Sequence, residues 1–349
     1  MIRLGLCCIF REEPIRFRTI TVQTLRKLPR VAQLDRVSEI CLDNSKSLLA
    51  ALTFAHKNSI GAFRILSPFM PRCTHPEVAY TLADLPDRLA ITAHLAQAND
   101  FRTTHDIRLS FHPDQFIILS SPNPEVVVNS CRELEYQGLL AEQLGADTIT
   151  IHGGGKYDSK SAALARFADN FGKISSLAQQ RLALENDDRI YTVRDLLPVC
   201  RELNIPLVYD LHHHRCNPDG LSVAEATSLV IPTWEKVGRE PYFHVSSPRH
   251  PWGSGPPRPH ADYIDPTDFP ECWKDLRATV DVEAKAKELA VFRLQDMLSD
   301  GNYPACADDC RLGRIKGHIL KIKYQYTSPS RFPPATSTSC LRLIAFTIQ

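Results

Sequence analysis

The feature that most constrains this chain is a repeated alternation. Eight short apolar or β-branched stretches are separated by longer segments with apolar residues at helical spacing. The stretches are RLGLCCIF (3–10), AFRILS (62–67), IRLSFH (107–112), TITIHG (148–153), LALEN (182–186), PLVYD (206–210), YFHVSS (242–247) and ATVDVE (278–283). Helices are expected over 35–58, 84–100, 123–145, 159–180, 192–204, 222–238 and 283–300. In 123–145, for instance, Val127, Cys131, Leu134, Leu139, Leu140 and Leu144 approximate one face and Gly145 closes it. Strand followed by helix, over and over, requires parallel strands with helical crossovers. Eight such units without a Gly-rich dinucleotide fingerprint predict an α/β fold, a single (β/α)8 TIM barrel of about 250 residues or more. The barrel is expected over 1–300. The segment 301–349, rich in Pro, Ser and Thr, matches no further unit and is expected as a C-terminal appendage with the composition of a disordered segment.

The ends of these stretches carry the chemistry. His112, His152, Glu185, Asp210, His244 and Glu283 terminate six of the eight strands, at intervals of 40, 33, 25, 34 and 39 residues. Each interval is one strand–helix unit, so in a closed barrel all six stand on the C-terminal rim, where barrel active sites are built. A single His or Glu at a strand end is more often a hydrogen-bonded bystander; six on one rim argue for a shared metal site. In YDLHHHRC (209–216), Asp210 ends its strand and His213, three residues on, can turn back over the mouth. His212 is expected behind the ligands or in solvent, and His214 in solvent. His75 in CTHPE and His260 in RPHADY extend the set. Nine ligands exceed one ion and imply two or three, with Glu185 a natural bridge. Histidine plus carboxylate without cysteine suits zinc, manganese or iron. Ions paired about 4 Å apart activate water and neutralise both oxygens in phosphodiester displacement.

Composition narrows the setting. Eleven cysteines without a C-x-x-C pair argue for reduced thiols rather than a disulfide framework; Cys306 and Cys310 are close, but a loop is the expected reading there. No apolar run approaches the roughly 20 residues of a membrane span, and the N-terminus is too short for a secretory signal. A cytoplasmic monomer with no membrane contact is expected. A formal charge of +1 gives no global attraction to a polyanion, so nucleic-acid binding would need a local patch.

The motifs SFHPDQF, TIHGGGKY, LALENDD, YDLHHHRCNPDG, FHVSSPR, HADYI and DVEAKAKELA, with RLGLCCIF before them, resemble those of the UV damage endonucleases. These are TIM-barrel DNA repair enzymes similar in site design to endonuclease IV. The resemblance covers about residues 2 to 298. It implies a metal-dependent endonuclease that nicks damaged double-stranded DNA immediately 5′ of UV photoproducts or abasic sites, leaving 3′-hydroxyl and 5′-phosphate ends, with manganese the expected metal and zinc or another divalent ion the alternative. It places metal ligands at His112, His152, Glu185, Asp210, His213, His244, His260 and Glu283, with His75 a looser match. Glu185, Asp210 and Glu283 are then the catalytic carboxylates. It makes Gln115 and Phe116 the residues that probe the lesion; for Phe116, core packing beside Ile117 and Ile118 is the alternative. Three departures stand out: Tyr242 where some members carry a modified lysine, Leu6 where some carry an aromatic, and a tail beyond 301 without a family motif. Arg11, Arg16, Arg18, Lys156, Arg215, Arg249 and Arg258 are candidate contacts to the DNA backbone. The rival readings are a sugar isomerase or epimerase on a similar barrel, which needs no aromatic wedge, and a lesion-binding protein that does not cleave.

Overall fold

The computed structural model describes residues 2–299; the expected appendage over 301–349 lies outside them. Eight strands follow in chain order: β1 (Arg3–Cys7), β2 (Ala62–Ile65), β3 (Arg108–Phe111), β4 (Thr148–His152), β5 (Leu182–Glu185), β6 (Leu207–Asp210), β7 (Tyr242–Val245) and β8 (Thr279–Val282). Each pairs in parallel with its neighbours, and β8 pairs with β1, so the sheet closes on itself. All eight expected strands form, each shorter than its apolar run by one or more residues at one or both ends.

The helices are α1 (Val22–Arg26), α2 (Arg30–Lys57), α3 (Arg88–Thr104), α4 (Pro124–Leu144), α5 (Lys160–Phe171), α6 (Ser176–Gln179), α7 (Val193–Leu203), α8 (Leu211–Cys216), α9 (Val223–Glu235) and α10 (Glu288–Ser299). The single helix expected over 159–180 is two. It stops at Gly172, and Ser175 caps a new turn by accepting from Ala178 N. α7 shows the opposite case, a start written in the sequence: Thr192 and Asp195 form a reciprocal capping box, and Asn204 closes the helix in the left-handed conformation.

The core lies between sheet and helices, with Phe63, Phe111, Phe167, Phe243, Trp234 and Trp273 fully buried. Each such side chain contributes about 1.5–3 kcal/mol by leaving water. Phe243 stacks on Trp273 at 4.7 Å and holds β7 against the segment that leads into β8. That packing fixes the height of each strand, and so of the residues at its end.

Candidate metal centre at the carboxyl ends of the strands

The strand ends converge on Glu185, whose carboxylate is buried. Its Oε2 lies 2.7 Å from His112 Nε2 and 3.8 Å from His152 Nε2, and its Oε1 lies 2.9 Å from His244 Nδ1 and 3.4 Å from His213 Nδ1. Burial opposes the charge on this carboxyl, yet the imidazoles of His244, His152 and His112 hold it well below the usual carboxylate range. Glu185 is thus an anion between two pairs of rings, the geometry a bridging carboxylate needs.

Local structure explains YDLHHHRC. Asp210 ends β6 and caps α8, its Oδ1 accepting from His213 N at 2.7 Å. One helical step then returns His213 to the same side, with Nδ1 3.6 Å from Asp210 Oδ2. Asn186 clamps the pair, accepting from Asp210 N at 3.0 Å, donating to Asp210 O at 2.8 Å, and accepting from His213 Nδ1 through its own carbonyl at 3.0 Å. Burial raises the Asp210 carboxyl, His213 opposes that, and Glu185 and Glu283 add to it; burial pushes the His213 ring down, but Asp210 and Glu185 hold it well above its ordinary value. After β4, His152 is followed by glycines for a steric reason: a Cβ on Gly153 would stand 2.7 Å from the Tyr191 ring, and Gly154 has φ +86°.

Glu283 follows β8 and meets His244 Nδ1 at 3.5 Å and His260 Nδ1 at 4.0 Å. His260 arrives from far along the Pro/Gly loop over 246–263. A bridge between Pro248 and His260 and a bond from Ala261 N to Ser247 O at 2.8 Å pinch the base of that loop and return it to the rim.

The donor set fits divalent ions. Three groups of ligand atoms converge, in each of which all atoms lie within 4.8 Å of one another: His112, His152 and Glu185; His112, His244 and Glu283; and Glu185, Asp210 and His213. Asp210 Oδ2 and His152 Nδ1 are buried without a hydrogen-bond partner, which is costly in a closed core. His112 Nδ1 donates to Pro113 O at 3.2 Å, so its Nε2 lone pair is the one facing Glu185, an arrangement that calls for a cation or a proton between them.

Several expectations need correcting. In the turn after β2 His75 Nδ1 accepts from Glu77 N at 3.3 Å, and His75, like His260, belongs to none of the three groups. His212 and His214 are not solvated. α8, a helix the sequence reading missed, buries both, with His214 Nδ1 2.6 Å from Tyr209 Oη and His212 Nε2 3.4 Å from Arg258 O. Arg215 turns inward to Asp268 Oδ1 at 2.6 Å, which withdraws it from the outer basic set, and Arg18 is tied to Glu39 and Asp43. Arg258 pairs with Asp188 at 2.9 Å yet stays half exposed. Arg11, Arg16, Lys156 and Arg249 are exposed and, among the described residues, pair with no acidic side chain. Phe116 is 69% exposed beside exposed Gln115, so core packing is not its role. Tyr242 is buried, its hydroxyl bonded to Asp281 Oδ1 and Ser110 Oγ at 2.9 Å each.

The sequence reading also missed Arg64 and Asp281. Arg64 Nε donates to Asp281 Oδ2 at 2.8 Å, Nη1 to Glu283 Oε1 at 2.6 Å, and Nη2 to His244 Nε2 at 2.9 Å. The signal was there: both are charged residues inside otherwise apolar strands, a placement that in a core demands a partner.

A closed barrel of parallel strands whose carboxyl ends present histidines and carboxylates around one shared glutamate defines a TIM-barrel protein with a candidate polynuclear metal site. The model of the UV-endonuclease UvdE family matches residues 2–307, and the chain belongs to that family. It is 31% identical over 301 residues to the UV DNA damage endonuclease of Bacillus velezensis, covering 84% of this chain and 91% of that protein. The Bacillus cereus protein of the same name is 32% identical over 291 residues, covering 81% of this chain and 89% of that one. Among solved structures, that of SacUVDE superposes with a TM-score of 0.76 at 28% identity, covering 87% of this chain and all of the other. Endonuclease IV from Thermus thermophilus, at 18% identity and a TM-score of 0.52 over 85% of this chain and 99% of that one, shares the fold.

Proposed function

We propose that this protein is a metal-dependent DNA repair endonuclease that nicks damaged duplex DNA immediately 5′ of UV photoproducts, and of abasic sites, leaving 3′-hydroxyl and 5′-phosphate ends. One observation carries the reading: a buried glutamate shared by four histidines on the rim of a barrel that belongs to the UV-endonuclease family. His112, His152, Glu185, Asp210, His213, His244 and Glu283, with His260 beside them, are the residues that would hold two or three divalent ions, manganese first among them. Such ions, when bound, activate water and neutralise charge on the phosphate oxygens.

The chain's own residues supply the rest. Asn186 fixes the backbone of Asp210 and the ring of His213, so the two face one another without rearrangement. Glu185 and Glu283 hold negative charge against the surrounding rings, and Asp210 Oδ2 faces His213 Nδ1 at 3.6 Å. Phe116 and Gln115 project from the loop after β3, where an exposed aromatic can enter the gap left by unstacked bases; a damaged step costs less to open than a sound one. Arg11, Arg16, Lys156 and Arg249 offer phosphate contacts around the rim, and Arg258 does so at its half-exposed guanidinium. The protein acts as a monomer on its duplex, in the cytoplasm. Among the described residues no helix is long and apolar enough to cross a membrane.

The test is incision of a labelled duplex containing one thymine dimer, with manganese, against an undamaged control. A single nick 5′ of the dimer that disappears with a chelator supports the reading. Binding without a nick under any divalent metal would leave a lesion-binding protein, and neither binding nor nicking would point to a polyol substrate.

A further inference from the structure

Beneath the ring of ligands lies a layer of buried polar residues that the proposed reaction does not by itself require. Arg64, Ser110, Tyr242 and Asp281 meet inside the barrel, none more than 7% exposed. Gly5, paired with Asp281 in the β1–β8 register, makes room for it: a Cβ there would stand 2.0 Å from Asp281 Oδ1. Barrel interiors are ordinarily filled with branched apolar side chains, and a buried ion pair is poor value as a stabilising device. Arg64 spends its remaining donors upward, on Glu283 Oε1 and His244 Nε2. Of the three groups of candidate ligands, only the one formed by His112, His244 and Glu283 has a fixed cation bonded to two of its members.

We propose that Arg64 is a positioning and specificity-determining residue that makes the His112–His244–Glu283 corner the weak, exchangeable ion position of the site. The inference rests on the metal-dependent reading above. Two effects act in the same direction. A guanidinium bonded to Glu283 lowers the net negative charge available to a divalent ion and repels that ion at short range. A guanidinium also has donors only, so His244 Nε2 is the accepting nitrogen and the ring's hydrogen sits on Nδ1, donated to Glu185 Oε1 at 2.9 Å. Both nitrogens of His244 are therefore engaged within the chain, by Arg64 on one side and Glu185 on the other. His112 is the reverse case: its outer nitrogen donates to a carbonyl, and its inner nitrogen turns its lone pair toward Glu185 Oε2 at 2.7 Å. Asp281 moderates Arg64 from below by pairing with Nε, and Tyr242 holds Asp281 in place.

The experiment is manganese binding to the full chain, read as the number and affinity of sites by equilibrium dialysis with electron paramagnetic resonance of free manganese, alongside thermal midpoints. Two variants are compared with the native chain. Arg64→Met with Asp281→Leu replaces the buried pair by apolar side chains, a change cores usually tolerate; the weakest site should tighten about tenfold or more. Asp281→Asn keeps hydrogen bonding but leaves the guanidinium without its counter-charge; the same site should weaken by a similar factor while the tighter sites hold. Opposite shifts confined to one site support the proposal. If both variants weaken binding together, or neither changes it, Arg64 only supports the fold and the proposal is wrong. If the native chain binds no manganese at all, the metal-dependent reading itself fails, which the dialysis shows before any variant is made.

Discussion

At the amino-terminal mouth of the barrel, Arg108 bonds both oxygens of Asp147 through Nε at 3.0–3.1 Å, and Glu240 O and Thr279 Oγ1 through Nη1 at 2.8 and 3.1 Å. Arg3 joins Glu240, and Glu240 accepts from Thr279 Oγ1 at 2.7 Å. The guanidinium of Arg108 also lies over the rings of Trp234 and Tyr242, 5.4 and 4.7 Å from their centroids. At the carboxyl mouth the charges lie deeper: Glu185, Asp210 and Asp281 are fully buried, whereas at the amino mouth Arg108 is buried and Arg3, Asp147 and Glu240 are partly exposed. His152 Nδ1, Asp210 Oδ2, His212 Nδ1 and Ser246 Oγ are buried without partners, whereas none of Arg3, Arg108, Asp147, Glu240 and Thr279 leaves such an atom among the described residues. Buried charge that is satisfied within the chain serves the fold. Asp210 Oδ2 and His152 Nδ1, unsatisfied on residues of the candidate ligand groups, are open to something that binds, whereas the orphaned His94 Nδ1, Gln137 Oε1 and Arg166 Nη2 belong to none of those groups.

The comparison breaks most sharply at Glu185. Glu185→Ala should lower incision of a dimer-containing duplex about a thousandfold, since several kcal/mol of charge stabilisation at the phosphate depend on the ions it would hold. Manganese should raise the thermal midpoint of the native chain by mass action and raise that of the variant much less, as a thermal shift titration would show. A thermal midpoint equally responsive in both would remove Glu185 from the metal site. At the other mouth, Arg108→Met should cost about 3 kcal/mol in denaturant unfolding, because Asp147, Glu240 and Thr279 lose a shared donor, while incision per folded molecule stays near native. A large loss of specific activity at unchanged stability would mean the two mouths are not separate in role.

Smaller effects sharpen the contrast on the rim. Phe116→Ala should leave stability unchanged, because the ring is already in solvent, and should weaken binding to dimer-containing duplex by roughly 1–3 kcal/mol with little change for undamaged duplex. Equal weakening on both duplexes, measured by fluorescence anisotropy, would make it a general contact. Glu288 is a carboxylate near the rim that belongs with the satisfied class: it accepts from the backbone N–H groups of Arg11, Glu12 and Glu13 at 2.7–3.1 Å. Burial opposes its charge, and those N–H groups hold its carboxyl below the ordinary value. The unfolded chain therefore takes up the proton first as acid is added. The stabilisation from Glu288 is complete above the ordinary glutamate range and is lost as the pH falls through the lowered folded value. The acid limb of midpoint against pH should be shallower in Glu288→Gln, and an unchanged limb would show that the three bonds do not depend on charge.

Much of this was legible in the chain. The eight strands could be read because each is a short apolar run that parallel pairing buries on both faces, and the rim residues could be read because each ends such a run. α8 could not: LHHHRC is too short for helical periodicity and half of it is histidine, a weak helix former, and it is helical because Asp210 caps it and the rim packs it. The burial of His212 and His214 follows from the same fact. His75 shares the residue type and the loop position of the ligands, but only the path of the turn after β2 brings Glu77 N to its Nδ1.

Local order thus set the number of strand–helix units and the residue types at their ends, since hydrophobic period and turn chemistry act over a few residues. Closure of the barrel decided which atoms meet. Arg64 lies 217 residues from Asp281 and 219 from Glu283, and Glu185 lies 73 residues from His112 and 59 from His244. No short-range rule couples such positions. They become neighbours because parallel strands in one closed register place their ends at a common height, and a buried charge must then be answered by whatever the opposite strands bring within reach.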